Sequence, residues 1–170
     1  MSNVWTCERC GETHTGLPDI GISQPDLWPR LTDEERARSR LDADTCEIHA
    51  DDGDAFFVRG VLALPLADAD GAFGYGVWGS LSEPHFRRFL ELYDDPARVD
   101  EPPYFSWLSN RLAGWPETLN LKTNVEIVDV ASRPRIVLEP TDHPLARAQY
   151  EGIPFRRALE LVEPYLHQTG

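Results

Sequence analysis

Lysine is almost missing from this sequence: Lys122 is the only one, and every other cationic side chain is an arginine. That imbalance reflects base composition more than mechanism. Basic residues are scarce altogether, with 16 Lys and Arg against 29 Asp and Glu, for a formal net charge of −13. Such a surface repels phosphate backbones, which excludes nucleic-acid binding through a general basic face. No apolar run approaches the roughly 20 residues that a membrane-spanning helix needs. No basic start leads into an apolar stretch, so no signal peptide and a cytoplasmic location are expected. Cysteine is limited to Cys7, Cys10 and Cys46. A disulfide framework would leave one of them over, and a cytoplasmic compartment keeps thiols reduced. Internal repeats and Gly/Ser linkers are absent too. The expectation is a single domain over 1–170, in which a segment over 1–50 packs on a core over 55–167.

Hydrophobic residues make up 41% of the chain and charged residues 26%, a balance that excludes wholesale disorder. Asp42, Asp44, Glu47, Asp51, Asp52 and Asp54 fall together without an intervening Lys or Arg, as a solvated loop would. Thr32 followed by Glu35 reads as a capping box that opens a helix through about Arg40. The apolar run from Phe56 to Pro65, the turn residues over 68–71 and the stretch from Phe73 to Leu81 predict a hairpin. Ser82 then caps a helix with Phe86, Phe89, Leu90 and Tyr93 on one face. Tyr104–Leu112 is ambiguous by period, and its aromatics tip it toward strand. Leu119–Val130 alternates apolar and polar residues as a strand does, and Arg135–Glu139 adds another. Pro154–His167 predicts a closing helix that Pro164 kinks or ends. Together these elements predict an α+β fold: a mainly antiparallel sheet with packed helices and an N-terminal zinc-knuckle-like segment.

The zinc expectation rests on Cys7-Glu8-Arg9-Cys10-Gly11. Two thiolates separated by two residues can hold one metal ion in a tight turn that Gly11 permits. A tetrahedral site needs two further ligands. His14 and Cys46 supply them in one set, and His49 replaces His14 in another. A site closed by four protein ligands would be structural. Buried unligated thiols and a redox pair are the competing readings, although the strand-to-helix junction of a redox pair is absent.

Gly74-Tyr75-Gly76-Val77-Trp78-Gly79 matches the dinucleotide-binding pattern, but its glycines alternate with Phe73, Tyr75 and Val77 as in a strand. They read better as room for close packing on a sheet. No nucleophile elbow is present. The catalytic candidates are His143 and Asp142, on a Pro-bounded loop, with Arg111 or Lys122 to hold an anionic group. The bland readings are that Thr141 or Asp142 caps the following turn and that Arg111 and Lys122 pair with carboxylates across strands. Trp78, Trp107, Trp115, Tyr104 and Phe105 read as core.

Several of these segments jointly resemble a known bacterial family, domain of unknown function 2199. The resemblance is carried by Cys7-x-x-Cys10-Gly11 with His14 and Gly16-Leu17-Pro18, by Phe56–Gly60, and by Gly76-Val77-Trp78 before Ser80-Leu81-Ser82. Trp107–Leu112, Leu119–Thr123 and Leu138–Leu145 complete it. The resemblance implies one intact domain and makes the Cys-x-x-Cys a family feature, but it assigns no activity. It draws attention to Asn110-Arg111, Lys122-Thr123 and Asp142-His143. Two functions follow from the residues: a zinc-stabilised domain that binds a protein or small ligand, or a small hydrolase or transferase working through His143 and Asp142.

Overall fold

The computed structural model describes residues 4–7 and 11–166. Val4–Thr6 (β1) pairs antiparallel with Thr13–Thr15 (β2), setting Trp5 opposite His14. A second sheet holds Ile20–Gly21 (β3), Arg40–Leu41 (β4), Thr45–Ala50 (β5), Gly53–Pro65 (β6) and Ala72–Leu81 (β7). It is completed by Tyr104–Leu108 (β8), Lys122–Glu126 (β9) and Arg135–Leu138 (β10). The order is β3-β7-β8-β9-β10-β6-β5-β4, and β6 also pairs with β7. That additional pairing closes β6 through β10 into a five-stranded barrel. Successive strands of the barrel run antiparallel, so an odd number can close only with its first and last strands parallel. The closing pair β10–β6 is parallel, at Arg135↔Val61.

This architecture corrects the expected fold class. The molecule is mostly β, a closed barrel with extra strands on its flanks, and its helices are short. They are Asp33–Ala37 (α1), Glu83–Glu91 (α2), Pro144–Glu151 (α3) and Phe155–Leu166 (α4). The hairpin β6–β7 was expected, because its two runs are neighbours in sequence. Closure was not, because it joins Val61 to Arg135 across most of the barrel's length of chain. The zinc-knuckle-like segment is not borne out as a fold element either. The described part of that segment is the β1–β2 hairpin, and Cys10 lies outside the described residues. Among the described residues no helix is long and apolar enough to cross a membrane.

Local chemistry explains the element ends. Thr32 Oγ1 accepts from Glu35 N at 3.1 Å and Glu35 Oε1 accepts from Thr32 N at 2.9 Å, so the expected capping box is present. Its helix stops at Ala37, short of Arg40, where β4 begins. The acidic stretch expected as a solvated loop contains β5, which buries Thr45, Cys46 and Ile48 between its carboxylates. Along β6, Phe56, Val58, Leu62 and Leu64 face the barrel core, while Phe57 faces the opposite way. There it joins Trp78, Leu31, Cys46 and Ile48 in a second apolar cluster.

The barrel is narrow because its interior carries small residues. A Cβ at Gly79 would stand 2.4 Å from Ser106 Oγ, and one at Gly60 would stand 2.8 Å from the Ile136 side chain and Pro134 O. The glycines of the 74–79 pattern thus serve close packing. Gly74 makes room for Asp19 and Gly76 for the Arg59 guanidinium.

Candidate functional site

Strand β8 turns Tyr104, Ser106 and Leu108 inward, so Phe105 and Trp107 face out, 48% and 40% exposed. Their rings meet edge to face with centroids 5.0 Å apart. Trp107 lies opposite Lys122 on β9, and the Lys122 ammonium stands 6.0 Å above the centre of the indole. Asn120 sets this register: its φ of 68° puts it in the left-handed region, and its N–H donates to Leu108 O at 2.7 Å.

The facing wall comes from the segment between β3 and α1. Asn110, fully buried, accepts from Trp78 N at 2.8 Å and donates to Gln24 O at 2.9 Å and to Asp26 Oδ1 at 3.1 Å. Asp26 Oδ2 accepts from Arg111 N, and Asp26 N donates to Ser109 O. These bonds pin residues 24–26 against the barrel end and bring Leu27 and Arg30 beside Trp107. Between the walls runs a groove of about 280 Å³, lined by Leu27, Arg30, Phe57, Ser80, Trp107 and Asn120 among others.

The charges around the groove are unusual for this chain. Most arginines hold a carboxylate, as Arg87 holds Glu47, Arg111 holds Glu117 and Arg133 holds Asp44. Among the described residues Arg30 and Lys122 hold none, as is also true of Arg40, Arg59, Arg98 and Arg156 elsewhere on the molecule. The one carboxylate in the groove wall, Asp26, already accepts from Asn110 and Arg111. The site is therefore an aromatic floor flanked by two cations free to meet an anion.

The residues named for catalysis are used differently. Both ring nitrogens of His143 engage the backbone: Nδ1 accepts from Leu145 N at 3.0 Å, and Nε2 lies 3.0 Å from Glu117 O. Because Leu145 N–H must donate, Nδ1 carries no proton and Nε2–H donates to Glu117 O. His143 is thus the N-cap of α3, a role expected for its neighbours Thr141 or Asp142. Arg111 meets Glu117 at 2.9 Å and holds that carboxyl below its usual range. Glu117 therefore brings Arg111 and His143 near each other, through its side chain and its carbonyl. Asp142 lines a different cavity with Arg147, Tyr150 and Glu151, and Lys122 stands over the Trp107 ring.

The metal candidates divide similarly. Cys7, directly after β1, is buried, and its carbonyl accepts from Gly11 N at 2.8 Å. The His14 ring lies 4.8 Å from that of Trp5. Cys46 sits in the second apolar cluster, and burial, then Asp42, pushes its thiol up to about 12. His49 lies between Asp54 Oδ1 at 3.0 Å and Glu47 Oε1 at 3.3 Å. Among the described residues no group of three His, Cys, Asp or Glu is placed to hold a metal ion, and Cys10 is not among those residues.

Sequence reasoning placed Trp107 in the core and passed over Arg30. The alternation in Tyr104–Leu108 was the available signal, since a strand that buries Tyr104 and Leu108 must turn Phe105 and Trp107 the other way.

No curated protein and no solved structure matches the chain. A family model matches residues 6–153, a span that includes every wall of the groove. The chain belongs to that family, described as an uncharacterised protein conserved in bacteria, DUF2199.

Proposed function

We propose that this protein is a binding domain whose Trp107 groove takes an extended acidic segment of a partner protein, with an apolar side chain set between carboxylates. The observation that carries the reading is the pair of unpaired cations, Arg30 and Lys122, beside an exposed aromatic shelf in a chain of net charge −13. The Arg30 guanidinium and the Lys122 ammonium both stand near the Trp107 indole without an ion-pair partner, which keeps them available for a carboxylate that comes from outside. Phe105 and Trp107 are two residues apart on one strand, a spacing that suits alternate side chains of an extended ligand. Both neighbours of β8 are paired, so recognition works through side chains and not through strand addition.

Selection from a random-peptide display library tests the proposal. The expected winners carry an aromatic or large aliphatic residue flanked by Asp or Glu. Trp107→Ser is expected to weaken their binding at least ~10-fold, as loss of an aromatic anchor does. Lys122→Glu and Arg30→Glu weaken it as well. Winners without acidic residues, or winners indifferent to Trp107→Ser, would refute the reading.

A further inference from the structure

A second cavity, of about 210 Å³, opens where β5 leaves the side of β6 and β10 takes its place. Three guanidiniums line it, those of Arg59, Arg98 and Arg133, and one carboxylate, that of Asp44. Asp44 is committed on both oxygens: Oδ1 accepts from Arg133 Nε at 2.8 Å and Oδ2 from Tyr93 OH at 3.0 Å. Arg98 is committed to main-chain carbonyls. Arg59 is not provided for. Its Nε is buried without a hydrogen-bond partner, and Nη1 reaches Ala43 O only at 3.5 Å. The neighbouring carboxylates are spent within their own turns. Asp42 accepts from Asp44 N, Thr45 N and Thr45 Oγ1, and Asp129 accepts from Ala131 N, Ser132 N and Ser132 Oγ.

A partly buried guanidinium that no carboxylate hydrogen-bonds is costly, and a second one nearby adds like-charge repulsion. Burial, followed by the charge of Arg133, outweighs the opposing charge of Asp44 and holds Arg59 below the usual arginine range. Both costs fall if a small anion enters. We infer that the cavity between Arg59 and Arg133 is a binding site for a small oxyanion, with phosphate as the class it fits. Two guanidiniums lining one cavity suit a tetrahedral oxyanion with several acceptor oxygens. The cavity is also roomy enough for a small phosphate monoester. The site shares no lining residue with the Trp107 groove, so it stands or falls independently of the proposed peptide binding.

Melting curves in sodium phosphate and in sodium chloride at matched ionic strength test this, together with calorimetric titration of inorganic phosphate and of glycerol phosphate. Phosphate is expected to raise the melting midpoint above that in chloride. Arg59→Gln and Arg133→Gln should each abolish the gain and weaken phosphate at least ~10-fold, the usual cost of losing a charge-assisted contact. Arg156→Gln, which removes an exposed arginine on α4, should leave it intact. Arg133 is 42% exposed, so its variant keeps the test decisive if Arg59→Gln fails to fold. Tighter binding of glycerol phosphate than of inorganic phosphate would assign the site to an ester, and the reverse to the free ion. An equal rise in chloride, or a phosphate gain that survives Arg133→Gln, would overturn the inference.

Discussion

Arg98 is 5% exposed, and its guanidinium donates to four main-chain carbonyls: Tyr93, Asp129, Val130 and Ser132, at 2.8–3.1 Å. It knots the 3-10 turn Pro96–Asp100 to the loop that delivers β10 to the barrel. Nothing in the sequence separates Arg98 from the other arginines, because its partners are backbone atoms, three of the four some thirty residues away. Asn110 is the same kind of residue. Its segment stood out in the sequence, yet the bonds that explain it reach back to Gln24 and forward from Trp78. Arg98→Met would keep much of the buried stem but leave those carbonyls without their donor. The expected loss is about 3 kcal/mol or more, read from the urea midpoint. Arg98→Lys should recover little, since an ammonium cannot present a planar fork to carbonyls on several sides. A loss below about 1 kcal/mol for Arg98→Met would contradict this role.

Element by element, legibility followed the range of the interaction. The capping box of α1, the Ser82 cap of α2 and the β6–β7 hairpin all depend on residues close in sequence, and each was readable. Strand β5 was hidden because its carboxylates advertise a loop, while only Cys46 and Ile48 mark the buried face. The parallel closure β10–β6 was hidden because no local pattern encodes it. What the sequence does carry of that closure is its small residues. Gly79 faces Ser106 so closely that Gly79→Ala would set a Cβ 2.4 Å from Ser106 Oγ. The expected cost is about 1–3 kcal/mol. Ser106→Ala alone should be nearly neutral or stabilising, because its hydroxyl is buried without a partner. With that oxygen removed the nearest Ser106 atom is Cβ at 3.5 Å, so the double variant should recover much of the loss. Additive unfolding free energies in that double-mutant cycle would contradict the account of how the barrel closes.

For the molecule as a whole, the charge balance was the most direct message of the sequence, and its detail resides in the pairing. A net charge of −13 is spread over a surface on which most described arginines hold a carboxylate, so an unpaired cation beside an exposed aromatic is informative. The candidate site was legible in part: Lys122 and the segment from Trp107 to Arg111 drew attention, although for an anion site beside catalytic groups. Arg30 was not legible, since only the bonds from Asn110 and Arg111 to Asp26 bring its segment to the groove. The most direct measurement uses the five tryptophans, each of which gives one indole N–H signal in a nitrogen-15 correlation spectrum. The acetylated, amidated peptide Glu-Glu-Leu-Phe-Glu-Glu is titrated in, with Trp107→Phe to identify the signal of Trp107. The prediction is that the Trp107 signal moves progressively, while those of Trp78, bonded to Ile22 O, and Trp115, bonded to Tyr75 OH, hold still. A Trp107 signal that stays fixed as the peptide reaches millimolar concentration, or a Trp115 signal that moves as far, would contradict the groove as the binding surface.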